Sequence, residues 1–249
     1  MQPLKFLIVD DSRAMQAIIR RSILTCGYPQ PEIRTAADGE QALDMIEGFQ
    51  PHLVITDWHM PKVSGIEMLQ ALRQRFGLAP GAEISLELDP ASFDQDRLAG
   101  YLGAGVTRVS LGGQSFDDAV LASLGRRHCG ADLQEAAGWL GEARCRGQLA
   151  SWSLDLIQGL PGMELEAWRS QLQQAIAQAP PHLSVYDLIV EPGTVFERLE
   201  RRGALPLPEG DMAADLMELT AHTLAAAGYG HYEISNYALP GHASRHNRV

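Results

Sequence analysis

The sequence predicts an α/β protein with a parallel sheet, and three observations support this. Short apolar runs alternate with amphipathic helical patterns along the chain, beginning with Leu4–Val9 and Arg13–Thr25. Such alternation indicates parallel strands joined by right-handed crossovers. Hydrophobic residues make up 45% of the chain, which is ample for a core. The strands number about seven or eight, and eight is the number that closes a (β/α)₈ barrel. We therefore expect one barrel-like sheet of about seven or eight strands.

The first third of the chain contains three strand–helix units. Apolar runs and weaker alternation predict strands at Leu4–Val9, Glu32–Thr35 and Leu53–Thr56. Helical spacing predicts helices at Arg13–Thr25, Gly39–Gly48 and Gly65–Phe76. Two glycines and a proline between residues 77 and 81 end the third helix.

The same rhythm continues through the rest of the chain. The predicted strands are Glu83–Pro90, Gly105–Phe116, Trp152–Pro161, Leu183–Val190 and His231–Tyr237. The predicted helices are Asp94–Leu102, Asp132–Arg146, Glu164–Gln178 and Asp211–Ala227. Glu197–Arg202 is expected to be a solvated helical face with i,i+4 ion pairs.

Charge and composition exclude several classes of partner. The formal net charge of −11 argues against nucleic acid and anionic membranes, since both select basic surfaces. No apolar run approaches the roughly 20 residues of a membrane helix, and Asp10-Asp11 interrupts any signal-peptide pattern. The three cysteines, Cys26, Cys129 and Cys145, are scattered, which predicts buried, reduced thiols and a cytoplasmic location.

Three acidic residues follow two of the predicted strands. Asp10 and Asp11 come directly after Leu4–Val9, and Asp57 follows Leu53–Thr56. If the strands are parallel neighbours, their carboxylates meet at one edge, where ligands of open α/β sheets bind. Carboxylates this close repel unless a cation neutralises them, and oxygen ligands suit Mg²⁺. The alternative is that Asp11 or Ser12 caps the next helix while Asp57 ends its strand in solvent.

The same stretches carry a family resemblance. Phe6-Leu-Ile-Val-Asp-Asp-Ser12, followed by Leu53-Val-Ile-Thr-Asp-Trp-His-Met-Pro61 and Gly65, resembles response-regulator receiver domains of two-component signalling. The resemblance implies a flavodoxin-like phosphorelay domain in which Asp57 is phosphorylated, Asp10 and Asp11 help to hold Mg²⁺, and a histidine kinase is the partner. It covers residues 3–76 and then stops, so the switch Ser/Thr and the phosphate-binding Lys of receivers are missing from their places.

A second resemblance begins at residue 78 and runs to the last residue given. It is carried by five ordered motifs: Glu83–Pro90, Arg108–Phe116, Leu154–Gly162, Tyr186–Thr194 and Tyr232–Tyr237. They resemble the radical-SAM family of oxygen-independent coproporphyrinogen oxidases, more narrowly its heme-chaperone branch. The resemblance implies a TIM-barrel-like fold with S-adenosylmethionine contacts at four matching positions: Glu87, Gln114, Arg126 and Asp155. Gly113 departs from it, because an apolar side chain is usual there.

The cluster-binding part of that second family is missing. Its three cysteines in a C-x-x-x-C-x-x-C arrangement would lie upstream of residue 78, where receiver sequence stands instead. We therefore expect no iron–sulfur cluster, doubtful residual S-adenosylmethionine binding and no enzyme activity. His128, beside two arginines, is expected on a polar loop rather than on a metal.

The two resemblances meet without losing the strand–helix phase. We divide the chain into a receiver-like half, 1–77, and a radical-SAM-like half, 78–249, and expect both to pack as one chimeric domain. Strand Glu83–Leu88 would then lie beside Leu53–Thr56, because a truncated parallel sheet leaves a costly open edge. Three functional hypotheses remain open: a Mg²⁺-binding phosphoacceptor without signalling output, an S-adenosylmethionine- or heme-binding protein, and an inactive scaffold.

Overall fold

The computed structural model describes residues 3–190, 193–203, 205–208, 210–245 and 247. Glu191 and Pro192, which belong to the fourth motif of the second resemblance, lie outside them. The chain divides into two compact units: unit 1 is Met1–Ala82 with Gly103–Gly105, and unit 2 is Glu83–Leu102 with Val106–Val249. That the two halves pack as one domain stays a prediction. Among the described residues no helix has both the length and the apolar character needed to cross a bilayer.

Unit 1 is a three-stranded parallel sheet with helices on both faces. Its elements are β1 (Lys5–Val9), α1 (Arg13–Thr25), β2 (Glu32–Ala36), α2 (Gly39–Phe49), β3 (Leu53–Thr56) and α3 (Gly65–Arg75). The strand order is β2-β1-β3, so β1 is central. Leu7 and Val9 of β1 pack in one apolar cluster with residues of α2 and α3, while Phe6 and Ile8 pack against Ile23 of α1.

Local sequence explains where the helices of unit 1 begin. The Ser12 hydroxyl accepts a hydrogen bond from the Met15 N–H, which caps α1. Ser64 and Glu67 form a reciprocal capping box at α3. The predicted bounds of α1 are confirmed, and those of α2 and α3 differ from the structure by one residue.

Unit 2 contains the remaining elements. They are β4 (Ser85–Leu88), a 3₁₀ turn at Pro90–Ser92, α4 (Gln95–Ala104), β5 (Arg108–Gln114), α5 (Asp118–Ser123), α6 (Gly130–Cys145), β6 (Ser151–Gln158), α7 (Leu165–Ala177), β7 (His182–Asp187), α8 (Val195–Arg201), α9 (Gly210–Ala226), β8 (Gly230–Glu233) and β9 (Asn236–Ala238). The sheet order is β4-β5-β6-β7-β9-β8. β4 to β7 pair in parallel, and β9 pairs antiparallel with both β7 and β8.

The sheet of unit 2 has one apolar face and one polar face. Alternate residues such as Val109, Leu154 and Leu183 belong to the main apolar cluster of the unit, together with residues of α6, α7 and α9. The intervening residues on the opposite face are polar although most of them are buried: Arg108, Ser153, His182, Ser184 and Asn236. Because buried polar groups need hydrogen-bond partners, this face must carry a side-chain network.

The expectation of one barrel-like sheet of seven or eight strands is wrong for the described residues. Their strands form two sheets, and β4 pairs with β5 but not with β3. Gly77 and Gly81 both adopt left-handed backbone, so the chain turns twice between α3 and β4. The predicted last strand is a hairpin that turns at Ile234 and Ser235, and its antiparallel pairing does not continue the parallel order of a (β/α)₈ barrel.

Several smaller expectations can also be compared with the structure. Arg201 pairs with Glu197 at 2.5 Å on α8, which confirms the i,i+4 ion pair. The buried-thiol expectation is wrong: Cys26 and Cys145 are exposed, and Cys129 is a half-buried residue at the N-terminus of α6. The short helix α5 was not predicted, because six residues give too little periodicity.

Candidate functional site

The acidic residues of unit 1 meet at the carboxyl edge of its sheet. Val9 lies in register with Thr56, and the Asp57 N–H donates to the Val9 carbonyl at 2.8 Å. This pairing brings one carboxylate oxygen of each of Asp10, Asp11 and Asp57 within 4.8 Å of the others. Asp10 is buried, whereas the other two are exposed. The structure thus brings together the three acids that the sequence singled out.

Backbone N–H groups orient two of these carboxylates. The Ser12 N–H donates to Asp10 Oδ1 at 2.8 Å, and the Trp58 N–H donates to Asp57 Oδ1 at 2.7 Å. Ser12 also caps α1, so the helix-cap alternative and the acidic cluster coexist. Three carboxylate oxygens at this spacing match the hard oxygen ligands that Mg²⁺ takes alongside water.

The loop that follows Asp57 is held close to the sheet edge and to α2. A Cβ on Gly65 would lie 2.5 Å from the Asp57 carbonyl oxygen, so only glycine fits there. The Gly39 N–H donates to the Val63 carbonyl at 3.2 Å, and Lys62 Nζ lies 3.0 Å from Asp38 and 3.2 Å from Glu40.

Hydrogen bonding sets the ionisation of the groups in this loop contact. The hydrogen bond from the Gln41 N–H, followed by that from Lys62, lowers the pKa of Asp38. The same contacts to Asp38 and Glu40 raise the pKa of Lys62. Both groups are therefore charged at neutral pH, and their ion pair fastens the loop.

The contacts of the lysines show whether either of them could act as the phosphate-binding Lys of receivers. The chain has two lysines, Lys5 and Lys62. The Lys5 ammonium donates to the Phe49 carbonyl at 3.1 Å, and Lys62 is paired with Asp38 and Glu40. Both lysines are thus committed to contacts other than the acidic cluster.

In unit 2, Asp155 is a carboxylate of the polar face that accepts hydrogen bonds from serine hydroxyls. It lies on β6, and its oxygens accept hydrogen bonds from the hydroxyls of Ser110 at 2.7 Å and Ser153 at 2.8 Å. Burial raises the pKa of Asp155, although hydrogen bonds from Ser110, Ser184 and Ser153 and the charge of Arg108 oppose the rise. This carboxyl group is therefore sensitive to the loss of any one of its donors.

The other three residues that the second resemblance implies lie on neighbouring elements. Glu87 on β4 is exposed and in register with Ser110. Gln114 ends β5 at an irregular register and has a left-handed φ of 62°. Arg126 Nη1 lies 3.7 Å from Asp89 Oδ2. The structure links Asp155 to Ser110, which is the register neighbour of Glu87, and it gives no contact joining all four residues.

Gly113 has a structural explanation. It lies on the apolar face of β5, and a Cβ there would be 2.8 Å from Leu133 Cδ1 and 2.9 Å from Leu154 Cδ1. The apolar side chain usual at this position in the resembling family does not fit beside these two leucines.

Sequence reasoning missed His128. It lies on the loop between α5 and α6, as expected, but its side chain is buried, with 3% of the residue exposed. Its Nε2 lies 3.1 Å from the Gly113 carbonyl, and its Nδ1 lies 3.5 Å from Asp89 Oδ1. Asp89 also faces Arg126, so it joins two side chains that the sequence places 37 residues or more away. No local pattern signals such a contact.

The hydrogen-bonded groups of the polar face were also missed, apart from Asp155. His182, Ser153, Ser184 and Tyr232 form a network across β6, β7 and β8. The alternation of polar and apolar residues in Ser151–Asp155 was the available signal, because it marks a strand with one polar face.

Comparison with known proteins matches the chain to two families. The profile described as "Response regulator receiver domain" matches residues 6–85. The heme chaperone HemW of Synechocystis sp. is 45% identical over 188 residues, which are 75% of this chain and 45% of that protein. HemW of Escherichia coli is 41% identical over 72% of this chain and 46% of its own length. The chain joins a receiver segment to a HemW-like radical-SAM segment. It spans about half the length of the curated relatives it matches.

Two solved structures resemble the fold of this chain. Coproporphyrinogen III oxidase (HemN) from Escherichia coli, a radical SAM enzyme, superposes with a TM-score of 0.66 at 21% identity. The superposition covers 96% of this chain and 56% of that chain. Elp3 of Methanocaldococcus infernus gives a TM-score of 0.53 at 19% identity. At these identities the likeness concerns the fold.

Proposed function

We propose that the receiver segment is a Mg²⁺-binding phosphoacceptor, with Asp57 as the acceptor and with Asp10, Asp11 and Asp57 as the metal ligands. One observation carries this proposal: three carboxylate oxygens lie within 4.8 Å at the edge formed by β1 and β3. Receiver domains work with histidine kinases, so a kinase of that kind is the proposed phosphoryl donor.

Each residue has a defined part in this proposal. Asp57 Oδ1 is held by the Trp58 N–H, which leaves Oδ2 to attack a phosphoryl group. Gly65 lets the following loop pass close behind the Asp57 carbonyl, which fixes the direction of the carboxylate. Mg²⁺, when bound, supplies positive charge between the carboxylates and the phosphoryl oxygens.

The proposed activity stops at slow phosphorylation without signalling output. Lys5 and Lys62 are bonded elsewhere, so neither supplies the cation that stabilises charge on a transferring phosphoryl group. The receiver segment described here has three strands, and the switch hydroxyl of receivers belongs to strands beyond these.

The test is a Mg²⁺ titration followed by Trp58 fluorescence. Trp58 adjoins Asp57, so we expect a saturable change at millimolar Mg²⁺ that weakens in Asp11→Asn. The matched control is Trp58→Phe, which leaves the three tryptophans of unit 2 and should abolish the signal. A titration without saturation in the unaltered chain would refute the metal site.

The HemW-like segment supports a second candidate function, the binding of S-adenosylmethionine or heme. The observation in its favour is Asp155, a carboxyl group held on a buried polar face by hydroxyl donors. Carboxylates of this kind suit the ribose hydroxyls or the amino group of S-adenosylmethionine. Equilibrium dialysis should show binding that Asp155→Asn weakens, and a hemin titration tests heme in parallel.

We propose that this chain carries no radical chemistry, because its cysteines lack the cluster-binding spacing. Anaerobic reconstitution with iron and sulfide should give no stoichiometric cluster. Absorption at about 400 nm in proportion to protein would contradict this. If none of the titrations with Mg²⁺, S-adenosylmethionine and hemin shows binding, the remaining hypothesis is an inactive scaffold.

A further inference from the structure

A chain of hydrogen bonds crosses the polar face of unit 2 from β8 to β6. The Tyr232 hydroxyl lies 2.7 Å from His182 Nε2, and His182 Nδ1 lies 2.8 Å from the Ser153 hydroxyl. The Ser153 hydroxyl in turn lies 2.8 Å from Asp155 Oδ1. Ser153 and His182 thus connect Asp155 on β6 to Tyr232 on β8.

The donors at the Tyr232 end give this chain a direction. The Tyr232 oxygen accepts from the Ser244 N–H at 3.2 Å and from the Asn247 amide at 3.1 Å. Because a phenol oxygen that accepts hydrogen bonds keeps its own hydrogen, the Tyr232 O–H can donate to His182 Nε2. In that arrangement His182 carries its hydrogen on Nδ1 and donates to the Ser153 hydroxyl, and the Ser153 O–H donates to Asp155. The Ser153 hydroxyl also lies 3.1 Å from the Ser184 hydroxyl.

Burial excludes a role of Ser153 as a catalytic nucleophile. A serine hydroxyl next to a histidine can act as a nucleophile. However, 2% of Ser153 and 1% of His182 are exposed, so no substrate reaches that hydroxyl. The same burial means that neighbouring side chains rather than bulk water fix the hydrogen positions.

Several charged or titratable groups surround this part of the face. They lie on four other strands of the sheet: Glu87 on β4, Arg108 on β5, Tyr186 on β7, and Tyr232 and Glu233 on β8. Arg108 favours the ionised form of Asp155, while Glu87 and Glu233 are further negative groups that, like Asp155, act on the Tyr186 hydroxyl. At Asp155, burial favours the neutral carboxyl group, while the hydroxyl donors and Arg108 favour the ionised form.

We propose that His182 is a positioning residue for Asp155. Tyr232 holds it as the Nδ1–H tautomer, and in this form it directs the Ser153 O–H onto Asp155 and keeps that carboxyl group ionised and correctly oriented for a ligand. The ligand part rests on the proposed role of Asp155 in binding S-adenosylmethionine. Because Ser244 and Asn247 donate to the Tyr232 hydroxyl, these two residues also influence the state of the site.

The first test measures the tautomer directly and needs no ligand. Long-range ¹H–¹⁵N correlation spectra of histidine-labelled protein distinguish Nδ1–H, Nε2–H and doubly protonated rings, and His182→Gln identifies the signal among the eight histidines. We expect Nδ1–H at neutral pH, and Tyr232→Phe should abolish this preference. An Nε2–H or doubly protonated His182 in the unaltered protein would overturn the proposal.

The second test uses two serines on the same face of β6 as a matched pair. Ser153 belongs to the chain of hydrogen bonds, whereas Ser151 contacts His242 Nδ1 at 3.1 Å. In carboxyl ¹³C titrations, with the Asp155 signal identified by Asp155→Asn, Ser153→Ala should raise the proton affinity of Asp155 about tenfold. Ser151→Ala should leave it unchanged.

Equal shifts in the two serine variants, or none in either, would overturn the proposal. A circular-dichroism melt of each variant checks that the fold is retained. Dialysis against S-adenosylmethionine at several pH values then reports on the ligand. If the unaltered protein binds none, the proposed role of Asp155 fails while the tautomer and titration results still decide the role of His182.

Discussion

The two candidate sites place carboxylates in opposite environments. In the receiver segment, Asp11 and Asp57 are exposed beside the buried Asp10, and the three negative charges have one another as neighbours. In the HemW-like segment, Asp155 is a single carboxyl group whose partners are serine hydroxyls. Among the described residues no ion pair to these three carboxylates is found, so the first arrangement suits a cation from solution. The second is already satisfied by the protein, so its chemistry depends on internal hydrogen bonds.

The largest expected effect is the loss of phosphorylation when the proposed acceptor, Asp57, is replaced. Asp57→Asn should abolish phosphorylation by a small phosphodonor such as acetyl phosphate, because the amide is not a nucleophile. Asp155→Asn is the control and should leave phosphorylation unchanged. Intact-protein mass spectrometry measures the added phosphoryl group. Equal phosphorylation of the unaltered chain and Asp57→Asn would show that Asp57 is not the acceptor.

A core substitution next to the second site should be the next largest effect. Gly113→Val places side-chain atoms against Leu133 and Leu154 and should lower the free energy of unfolding of unit 2 by about 1–3 kcal/mol. Gly138→Ala on α6 is the control, since a Cβ there meets nothing within 4 Å. Urea denaturation followed by tryptophan fluorescence measures both. An unchanged midpoint for Gly113→Val would mean that the leucines move aside.

In the receiver segment, replacement of the crowded glycine Gly65 should affect Mg²⁺ binding. Gly65→Ala forces the Asp57 carbonyl away from its present position and should weaken Mg²⁺ binding about tenfold, since displaced ligands lose metal affinity. Gly48→Ala, where a Cβ meets nothing within 4 Å, is the matched control. Isothermal calorimetry compares the two variants. Identical affinities would remove Gly65 from the account of the site.

The smallest expected effect concerns stability and pH: the contributions of Asp155 and Asp38 to stability should change in opposite directions as the pH rises. Burial raises the pKa of Asp155 above its ordinary 3.8, so its contribution to stability is present below that value and is lost as pH rises through the folded pKa. Hydrogen bonding to the Gln41 N–H and Lys62 lowers the pKa of Asp38, so its contribution is present above 3.8 and is lost as pH falls through the folded pKa.

Denaturation of Asp155→Asn and Asp38→Asn at two pH values checks these signs. Relative to the unaltered chain, the free energy of unfolding of Asp155→Asn should be higher at pH about 7 than at pH about 4. For Asp38→Asn it should be lower at pH about 7 than at pH about 4, again relative to the unaltered chain. Measurements with and without Trp58→Phe distinguish the two units, because Trp58 lies in unit 1 and the other three tryptophans lie in unit 2. The same sign for both variants would contradict the assigned causes.

How far sequence reasoning succeeded differs between the two sites. The acidic cluster could be predicted because Asp10, Asp11 and Asp57 each follow an apolar strand directly, and parallel neighbours share an edge. The contacts of His128 and His182 could not be predicted, since each joins residues far apart in the chain. Sheet continuity failed for a related reason: strand-like sequence indicates that a segment is extended but not which segment it pairs with.

The acidic cluster also spans two strands of unequal exposure to solvent. β1 is hydrogen-bonded on both sides, whereas β3 is bonded to β1 alone among the described strands of its sheet. In native-state hydrogen exchange the β1 amides should therefore be the slowest of unit 1, and the β3 amides should exchange through local opening. Each such opening carries Asp57 away from Asp10 and Asp11, so the proposed metal should slow the exchange of β3 more than that of β2.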